Sequence, residues 1–301
     1  MTNRRDFLQQ TGLAASAALM ATAGLPSRSA HAADDPLPGK TPHTKFAVNV
    51  EMWWTKLPFL ERIRQTAALG FPAIEFWSLT GPGKNVAEIA ALTQELGLAV
   101  AQFTAWGFKP GLNELKNHQA FDKAIETAIE AARLLKCPMA TVVAGDDVPG
   151  MTQAEMHANV ITALKRVAPK VEAANLMLIL EPMNLRVDHK GHCLAGSAPA
   201  IRICQEVGSS HVKINWDLYH MQISEGDLCG HLREGFQSGT IGYLQLADHP
   251  GRHEPGTGEI CYNRVLKEAY DLGYRYYVGL ECVPTEEHQA AKRVAAADLW
   301  D

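Results

Sequence analysis

The feature that most constrains the fold is a regular alternation of two kinds of segment, which begins at Lys45 and runs to the end of the chain. Short runs of β-branched or apolar residues are each followed by a longer stretch of helical period, clearest from Phe121 to Leu135 and over 153–174. There are eight such units, so we expect eight βα repeats. The predicted strands cover 46–53, 72–77, 98–106, 139–145, 176–184, 212–217, 241–248 and 276–283.

Eight βα units in about 270 residues, with no long linker between them, match a single (β/α)8 TIM barrel, whose usual size is ~250 residues. Gly70, Gly97 and Gly273 each follow a helical stretch and precede a strand, where a residue that accepts positive φ ends a helix at low cost. A doubly wound sheet would need a glycine-rich first crossover, and residues 51–58 contain no glycine. We therefore predict an α/β fold with one TIM barrel over residues 45–301.

The first 32 residues have the pattern of an export signal. A twin-arginine pair at positions 4 and 5 precedes a small-residue apolar stretch over 12–25, and an A-x-A cleavage sequence follows at 30–32. The apolar stretch is shorter than the ~20 residues that a membrane span needs. This segment resembles a Tat signal, which predicts the Tat machinery as a partner of the precursor, a short linker over 33–44 and a periplasmic mature protein.

Composition excludes several classes of protein. The chain is 47% hydrophobic with a mean hydropathy of -0.12, as in a soluble globular protein. Its 28 Lys and Arg residues against 33 Asp and Glu residues give a net charge of -5, and removal of the signal makes it more acidic, so we expect no nucleic-acid partner. The six cysteines are dispersed and contain no C-x-x-C pair, which argues against a structural zinc site and a disulfide framework.

Four consecutive predicted strands, from the fifth to the eighth, each carry an oxygen-bearing side chain near their carboxyl ends. In a barrel these ends meet at one mouth. Three confined carboxylates repel one another unless a cation lies between them. We therefore predict that they bind a hard divalent ion, Mg²⁺ or Mn²⁺. Taken singly, such a carboxylate can instead cap a helix or form a salt bridge at the rim, and for Glu75 on the second strand both interpretations stay open. The four predicted metal ligands are Glu181, Asp217, Gln245 and Glu281.

Two of these carboxylates could also carry the chemistry. Glu181 and Glu281 lie on strands three apart, so they could flank a substrate and pass a proton between them. A metal ion with a carboxylate pair around an α-hydroxycarbonyl compound is the minimum equipment for enediolate chemistry. The predicted partner is therefore a small α-hydroxycarbonyl substrate. Trp77, at the end of the second strand, either walls this pocket or closes the barrel top.

Two further residues are candidates for substrate binding. His220 could donate a hydrogen bond to a substrate oxygen, or it could have a purely structural partner. Arg252 lies in the Gly- and Pro-rich segment 248–259, which we expect to fold over the barrel mouth. There it could hold a substrate carboxylate in a bidentate pair, or form a rim salt bridge to Glu254 or Glu259.

The motifs of the second half of the chain resemble those of hydroxypyruvate isomerases, within the xylose isomerase-like barrel superfamily. The matching stretches are EPMN at 181–184, WDLYHMQ at 216–222, LQLAD at 244–248, RHEPGTGEI at 252–260 and GLE at 279–281. The resemblance implies that Glu181, Asp217, Gln245 and Glu281 bind a divalent metal and that the two glutamates are the acid/base pair. It also implies interconversion of hydroxypyruvate and 2-hydroxy-3-oxopropanoate (tartronate semialdehyde). Gln245 is informative because sugar epimerases of this superfamily usually carry His there.

The export signal departs from the family, whose typical isomerases are cytoplasmic. This leaves open a periplasmic ketose or keto-sugar epimerase or isomerase of the same superfamily. A second alternative is a non-catalytic periplasmic sugar-binding barrel, which the retained pair of glutamates disfavours because binding needs no acid/base pair. An endonuclease on this barrel would need several metal-binding histidines and a basic face. The sequence leaves homo-oligomerisation undecided.

Overall fold

A computed structural model describes residues 37–300, so the predicted export signal lies outside the described residues. Eight parallel strands close into a barrel in chain order, and β8 pairs with β1. The prediction of a single (β/α)8 barrel is confirmed. The strands are β1 (Lys45–Asn49), β2 (Ala73–Ser78), β3 (Ala99–Trp106), β4 (Met139–Val143), β5 (Met177–Glu181), β6 (Val212–Asp217), β7 (Ile241–Leu246) and β8 (Tyr277–Leu280).

The helices of residues 37–300 form the outer layer, and the β6–β7 connection carries two of them. The stretch predicted over 153–174 is one helix, which begins with a capping box between Thr152 and Glu155. No helix in this part of the chain combines the length and apolar character needed to cross a membrane. The helices are α1 (Phe59–Ala68), α2 (Val86–Leu96), α3 (His118–Leu135), α4 (Gln153–Ala174), α5 (Ser197–Val207), α6 (Leu218–Ser224), α7 (Leu228–Gln237), α8 (Tyr262–Asp271) and α9 (Glu287–Ala297).

Several strands end earlier than the sequence predicts. The run 46–53 forms β1 only as far as Asn49, and the run 176–184 forms β5 only as far as Glu181. The reason is that each apolar run continues into a segment outside the barrel sheet that is itself buried, so hydrophobicity reports burial rather than strand pairing. The buried residues that follow the strand ends include Val50, Trp53, Met183, Ala247 and Cys282.

The interior of the barrel changes from apolar to polar along the strand direction. A small apolar cluster fills one level, with Ala47, Ala73 and Tyr243 among its members. Residues two positions further along a strand point to the same side, and near that level the side chains are buried and polar. We call this set the buried polar layer: Asn49, Glu75, Gln102, Thr141, Asn215 and Gln245.

Candidate active site

The four predicted metal ligands all lie at the carboxyl ends of their strands. Glu181 and Asp217 end β5 and β6, Gln245 is the last but one residue of β7, and Glu281 directly follows β8. Glu181, Gln245 and Glu281 line a cavity of about 600 Å³. Ligand atoms of the three carboxylates and of His220 lie within 4.8 Å of one another, so this buried cluster can bind a metal ion.

Asp217 has two roles at once. Its Oδ1 accepts a hydrogen bond from the backbone N–H of Tyr219 at 2.9 Å and caps α6. Its Oδ2 is fully buried and has no hydrogen-bond partner among the described residues. A buried carboxylate oxygen without a partner is costly unless a positive charge faces it. Helix capping and metal binding are therefore compatible at this residue.

Burial and mutual repulsion make this cluster electrostatically strained. Desolvation, followed by the charge of Glu281, raises the pKa of Asp217 to about 8 and the pKa of Glu181 well above its usual range. The positive charge of Arg252 lowers the pKa of both groups but does not offset burial. A divalent cation would supply the missing positive charge, and carboxylate oxygens are the ligands that Mg²⁺ and Mn²⁺ prefer.

The guanidinium of Arg252 reaches into this cluster. Its Nη2 lies 2.6 Å from Glu281 Oε2 and 3.9 Å from Asp217 Oδ2, and the guanidinium carbon lies 5.0 Å from the centre of the Tyr219 ring. The rim partners considered from the sequence bind elsewhere: Glu254 pairs with Arg293 and Thr285, and Glu259 accepts from Gln222.

The loop that carries Arg252 is built around Asp248. This buried carboxylate accepts hydrogen bonds from four backbone N–H groups of the segment 249–260. The backbone of Arg252 adopts a φ of 55°, a left-handed conformation that a non-glycine residue adopts only where its surroundings impose it. The backbone carbonyl of Arg252 also accepts from the N–H of Val283, which ties the loop to the end of β8. The loop therefore holds the guanidinium at the barrel mouth.

A neighbouring asparagine determines the tautomer of His220. Asn184 Oδ1 accepts from the backbone N–H groups of Val187 and Asp188, so its Nδ2 must face His220 Nδ1, at 2.7 Å. Nδ1 is then an acceptor, and the ring proton is on Nε2. Burial, followed by the charge of Arg252, keeps the pKa of His220 well below its ordinary value, so the ring is neutral.

The proton on His220 points toward the carboxylate cluster. Nε2 lies 3.6 Å from Asp217 Oδ2 and 3.9 Å from Glu181 Oε1. A nitrogen that carries a proton has no lone pair for a metal, so in this tautomer His220 is a hydrogen-bond donor although it lies among the ligands. Asn184 ends the EPMN motif at 181–184 but was not among the predicted site residues. Its position three residues after Glu181 gives no sign that its side chain would reach α6.

Glu75 lies in the buried polar layer. It accepts hydrogen bonds from Asn49 Nδ2 at 3.0 Å, Tyr243 Oη at 2.8 Å and Gln245 Nε2 at 2.8 Å. Among the described residues it neither caps a helix nor forms a salt bridge. Desolvation, followed by the charge of Glu281, raises its pKa to about 7. A single acidic residue inside the apolar run Ala73–Phe76 was the sequence signal for this position.

Trp77 forms one wall of the cavity. Its Nε1 donates to Glu281 Oε1 at 2.8 Å, so each oxygen of Glu281 accepts from a side chain. The side chain is 42% exposed, which places it at the entrance. The facing wall comes from β3, β4 and the segments that follow them, with Thr104, Phe108, Lys109, Thr141 and Val143 among its residues.

The closed parallel barrel and the acidic cluster at its mouth define the class of protein, a TIM barrel with a candidate active site at the carboxyl ends of its strands. Comparison with known families agrees with this class. Residues 63–298 match the family described as xylose isomerase-like TIM barrel. This match covers more than half of the chain, which therefore belongs to that family.

Curated relatives carry the names of isomerases. The chain is 28% identical over 253 residues to hydroxypyruvate isomerase of Escherichia coli, covering 83% of this chain and 97% of the relative. It is 33% identical over 246 residues to 2-oxo-tetronate isomerase of Cupriavidus necator, covering 80% of this chain and 93% of that relative. A solved structure described as AP endonuclease, family 2, from Brucella melitensis superimposes with a TM-score of 0.76 at 25% identity, covering 82% and 96%. The prediction that the chain is an isomerase of this family is confirmed.

Proposed function

We propose that this protein is a divalent-metal-dependent isomerase that interconverts hydroxypyruvate and 2-hydroxy-3-oxopropanoate. The observation that carries the proposal is the convergence of Glu181, Asp217 and Glu281 at the mouth of the barrel, with ligand atoms within 4.8 Å. The names of the relatives support a reaction that moves a proton between neighbouring carbons of a small oxo acid.

The residues of the cluster fit Mg²⁺ or Mn²⁺. Glu181, Asp217 and Glu281 would hold the ion, and Gln245 would add an amide oxygen. When bound, such an ion supplies positive charge that stabilises the negative charge developing on substrate oxygens. The unpartnered Oδ2 of Asp217 supports this assignment, because it is the one oxygen of Asp217 that the helix cap leaves unused.

The chain's own groups move the proton and hold the substrate. Glu181 and Glu281 would act as the acid/base pair: one removes a proton from the hydroxyl-bearing carbon, and the other returns a proton to the former carbonyl carbon of the enediolate, while the hydroxyl proton passes from the first oxygen to the second. The Nε1–H of Trp77 orients Glu281. The Nε2–H of His220 would donate to a substrate oxygen, and the N–H groups of Arg252 not bonded to Glu281 remain for a substrate carboxylate.

We further propose that the mature enzyme works in the periplasm after Tat export, on the basis of residues 1–32. A second candidate function is a ketose or keto-sugar epimerase. The cavity of about 600 Å³ favours it, because a three-carbon acid would fill only a small part of that volume.

Solvent deuterium exchange followed by NMR tests the proposal. The protein in D₂O with Mg²⁺ would be given hydroxypyruvate, 2-oxo-tetronate or free ketoses, each with and without chelator. We expect chelator-sensitive deuterium incorporation and aldehyde formation from hydroxypyruvate. Exchange in a ketose alone would favour the epimerase over the hydroxypyruvate isomerase. Exchange in none of these compounds would contradict the proposal that the protein is an isomerase of small α-hydroxycarbonyl compounds.

Replacement of His220 tests whether this residue acts as a hydrogen-bond donor or as a metal ligand. His220→Phe keeps the ring volume but removes the Nε2–H, so we expect kcat to fall by about 10²-fold or more, the effect of removing one donor to a developing oxyanion. Mn²⁺ affinity, measured by calorimetry, should change less than about threefold because the imidazole is not a ligand. A loss of affinity comparable to that of an Asp217→Ala variant would instead make His220 a ligand.

A further inference from the structure

We infer that Glu75 is a positioning residue, which holds the side-chain amide of Gln245 in the orientation that leaves its oxygen for the metal-binding cluster. The inference rests on the proposed function, since it assigns Glu75 a role toward the same ion. Its basis is the contact between Gln245 Nε2 and Glu75 Oε1, at 2.8 Å inside the buried polar layer.

The two ends of a glutamine amide are almost identical in shape, so only hydrogen bonding decides which end faces which neighbour. Asn49 Oδ1 accepts from the backbone N–H of Glu51, so Asn49 Nδ2 donates to Glu75 Oε1. Oε1 is therefore an acceptor whether or not Oε2 carries a proton, and the NH₂ group of Gln245 must face it. The reversed amide would set Oε1 against a carboxylate oxygen and would turn N–H groups, which have no lone pair, toward the metal ligands. Asn215 Nδ2 donates to Gln245 Oε1 in this arrangement, and because an amide oxygen has two lone pairs, one remains for a cation.

Glu75 is itself held rigidly enough to act in this way. Its Oε2 accepts from Tyr243 and its Oε1 accepts from Asn49 as well as from Gln245. The side chain is fully buried, so bulk solvent does not reach these contacts. Each oxygen therefore has an assigned donor, and rotation of the carboxylate would break all three hydrogen bonds.

The neighbouring strand leaves space for this pair. Gly279 of β8 pairs with Gln245 in the sheet. A Cβ atom at Gly279 would lie 2.3 Å from Glu75 Oε2 and 2.8 Å from Gln245 Cγ. Any larger residue would displace the carboxylate and the amide together. The absence of a side chain at Gly279 is thus an independent sign that the barrel is built around the Glu75–Gln245 contact.

A buried carboxylate could also act on a cation through its charge alone, and a double-mutant cycle separates the two effects. The variants are Glu75→Met, which removes both acceptor oxygens, Gln245→Met and the double variant, and the readout is Mn²⁺ affinity by calorimetry on the full chain. We expect Glu75→Met to weaken binding by about 10- to 100-fold, as loss of an outer hydrogen-bond partner of a ligand does. In the Gln245→Met background the same change should alter affinity less than about threefold, because no amide remains to be oriented.

Glu268→Gln is the matched control. Glu268 is 8% exposed and pairs with Arg233 away from the cavity, so its loss tests the general effect of removing a buried carboxylate. Mn²⁺ affinity should stay within about threefold of the wild type. Thermal unfolding checks the fold of each variant. Tyr243→Phe is a milder perturbation of Glu75, since it removes one hydrogen-bond donor to the carboxylate and leaves Gln245 unchanged. It should weaken Mn²⁺ binding roughly threefold in the wild-type background and have no effect in the Gln245→Met background.

Equal losses of affinity in both backgrounds would overturn the positioning role and leave a simple charge effect. Unchanged affinity in Glu75→Met would overturn any role toward the ion. The wild-type titration tests the proposed function separately, because failure of the wild type to bind Mn²⁺ would remove the metal site itself.

Discussion

Replacing Glu181 or Glu281 by Gln is expected to lower kcat/KM by at least about 10³-fold, because each change removes a proton-transfer group, worth about 10²- to 10⁴-fold, and also a charged metal ligand. An amide of the same shape can neither take a proton from carbon nor return one. The two side chains are 6% and 5% exposed, so solvent cannot readily replace them. Deuterium exchange into the substrate, measured by NMR, should fall with turnover.

Glu268→Gln is again the control, since it removes a buried carboxylate outside the cavity and should keep activity near that of the wild type. Circular dichroism should show that both site variants remain folded, because replacing either glutamate relieves repulsion in a crowded acidic cluster. Retention of more than about a tenth of the wild-type kcat/KM in either variant would contradict the assigned acid/base roles.

Removal of the divalent ion should abolish turnover and lower thermal stability together. The folded chain holds three carboxylates within a few ångströms and the unfolded chain does not, so an ion bound to the folded state is a strong stabiliser. At a metal concentration of 100 times Kd the gain is about 2.7 kcal/mol. For a chain of this size that corresponds to a rise in Tm of roughly 5 °C. Calorimetric scans with Mg²⁺, Mn²⁺ and excess chelator measure it.

Asp217→Asn should abolish most of this metal-dependent rise in Tm. The asparagine oxygen can still accept from the Tyr219 N–H and cap α6, so the variant isolates the loss of the ligand charge. Full activity in protein that elemental analysis shows to be free of divalent metal would overturn the metal requirement. If the metal-dependent rise in Tm were unchanged in the Asp217→Asn variant, the ion would have to bind at another site.

The periodicity of the sequence was sufficient to predict the barrel because each βα unit is built from local patterns. Alternating apolar runs and helical stretches specify the elements, and eight parallel units have few ways to bury both faces of a sheet. The ends of the strands were less predictable. Val50 and Met183 extend apolar runs but lie beyond the ends of β1 and β5, Val50 in a turn and Met183 in an isolated bridge to Ala195, because burial at the barrel top does not need a continuous strand.

The polar residues at strand ends were predictable as a set because the fold itself gathers those ends. Their hydrogen-bond partners were not. Asn184 reaches His220 and Glu75 reaches Gln245 across 36 and 170 positions of sequence, respectively. Arg252 turns toward Glu281 rather than Glu254, since its left-handed backbone and the loop around Asp248 set the direction of its side chain. Sequence spacing contains none of this information.

By itself, then, the sequence determined the barrel, the mouth at which the chemistry lies, and the acidic residues that face it, because periodicity and position in a strand are local properties. Only the tertiary structure decided that His220 carries its proton on Nε2, that Asp217 keeps one oxygen without a hydrogen-bond partner within residues 37–300, and that Glu75 faces the nitrogen of Gln245. These are choices between nearly equivalent states of one side chain. They are decided by directional hydrogen bonds from segments that are far apart in the sequence but adjacent in the folded protein, at sites shielded from bulk solvent.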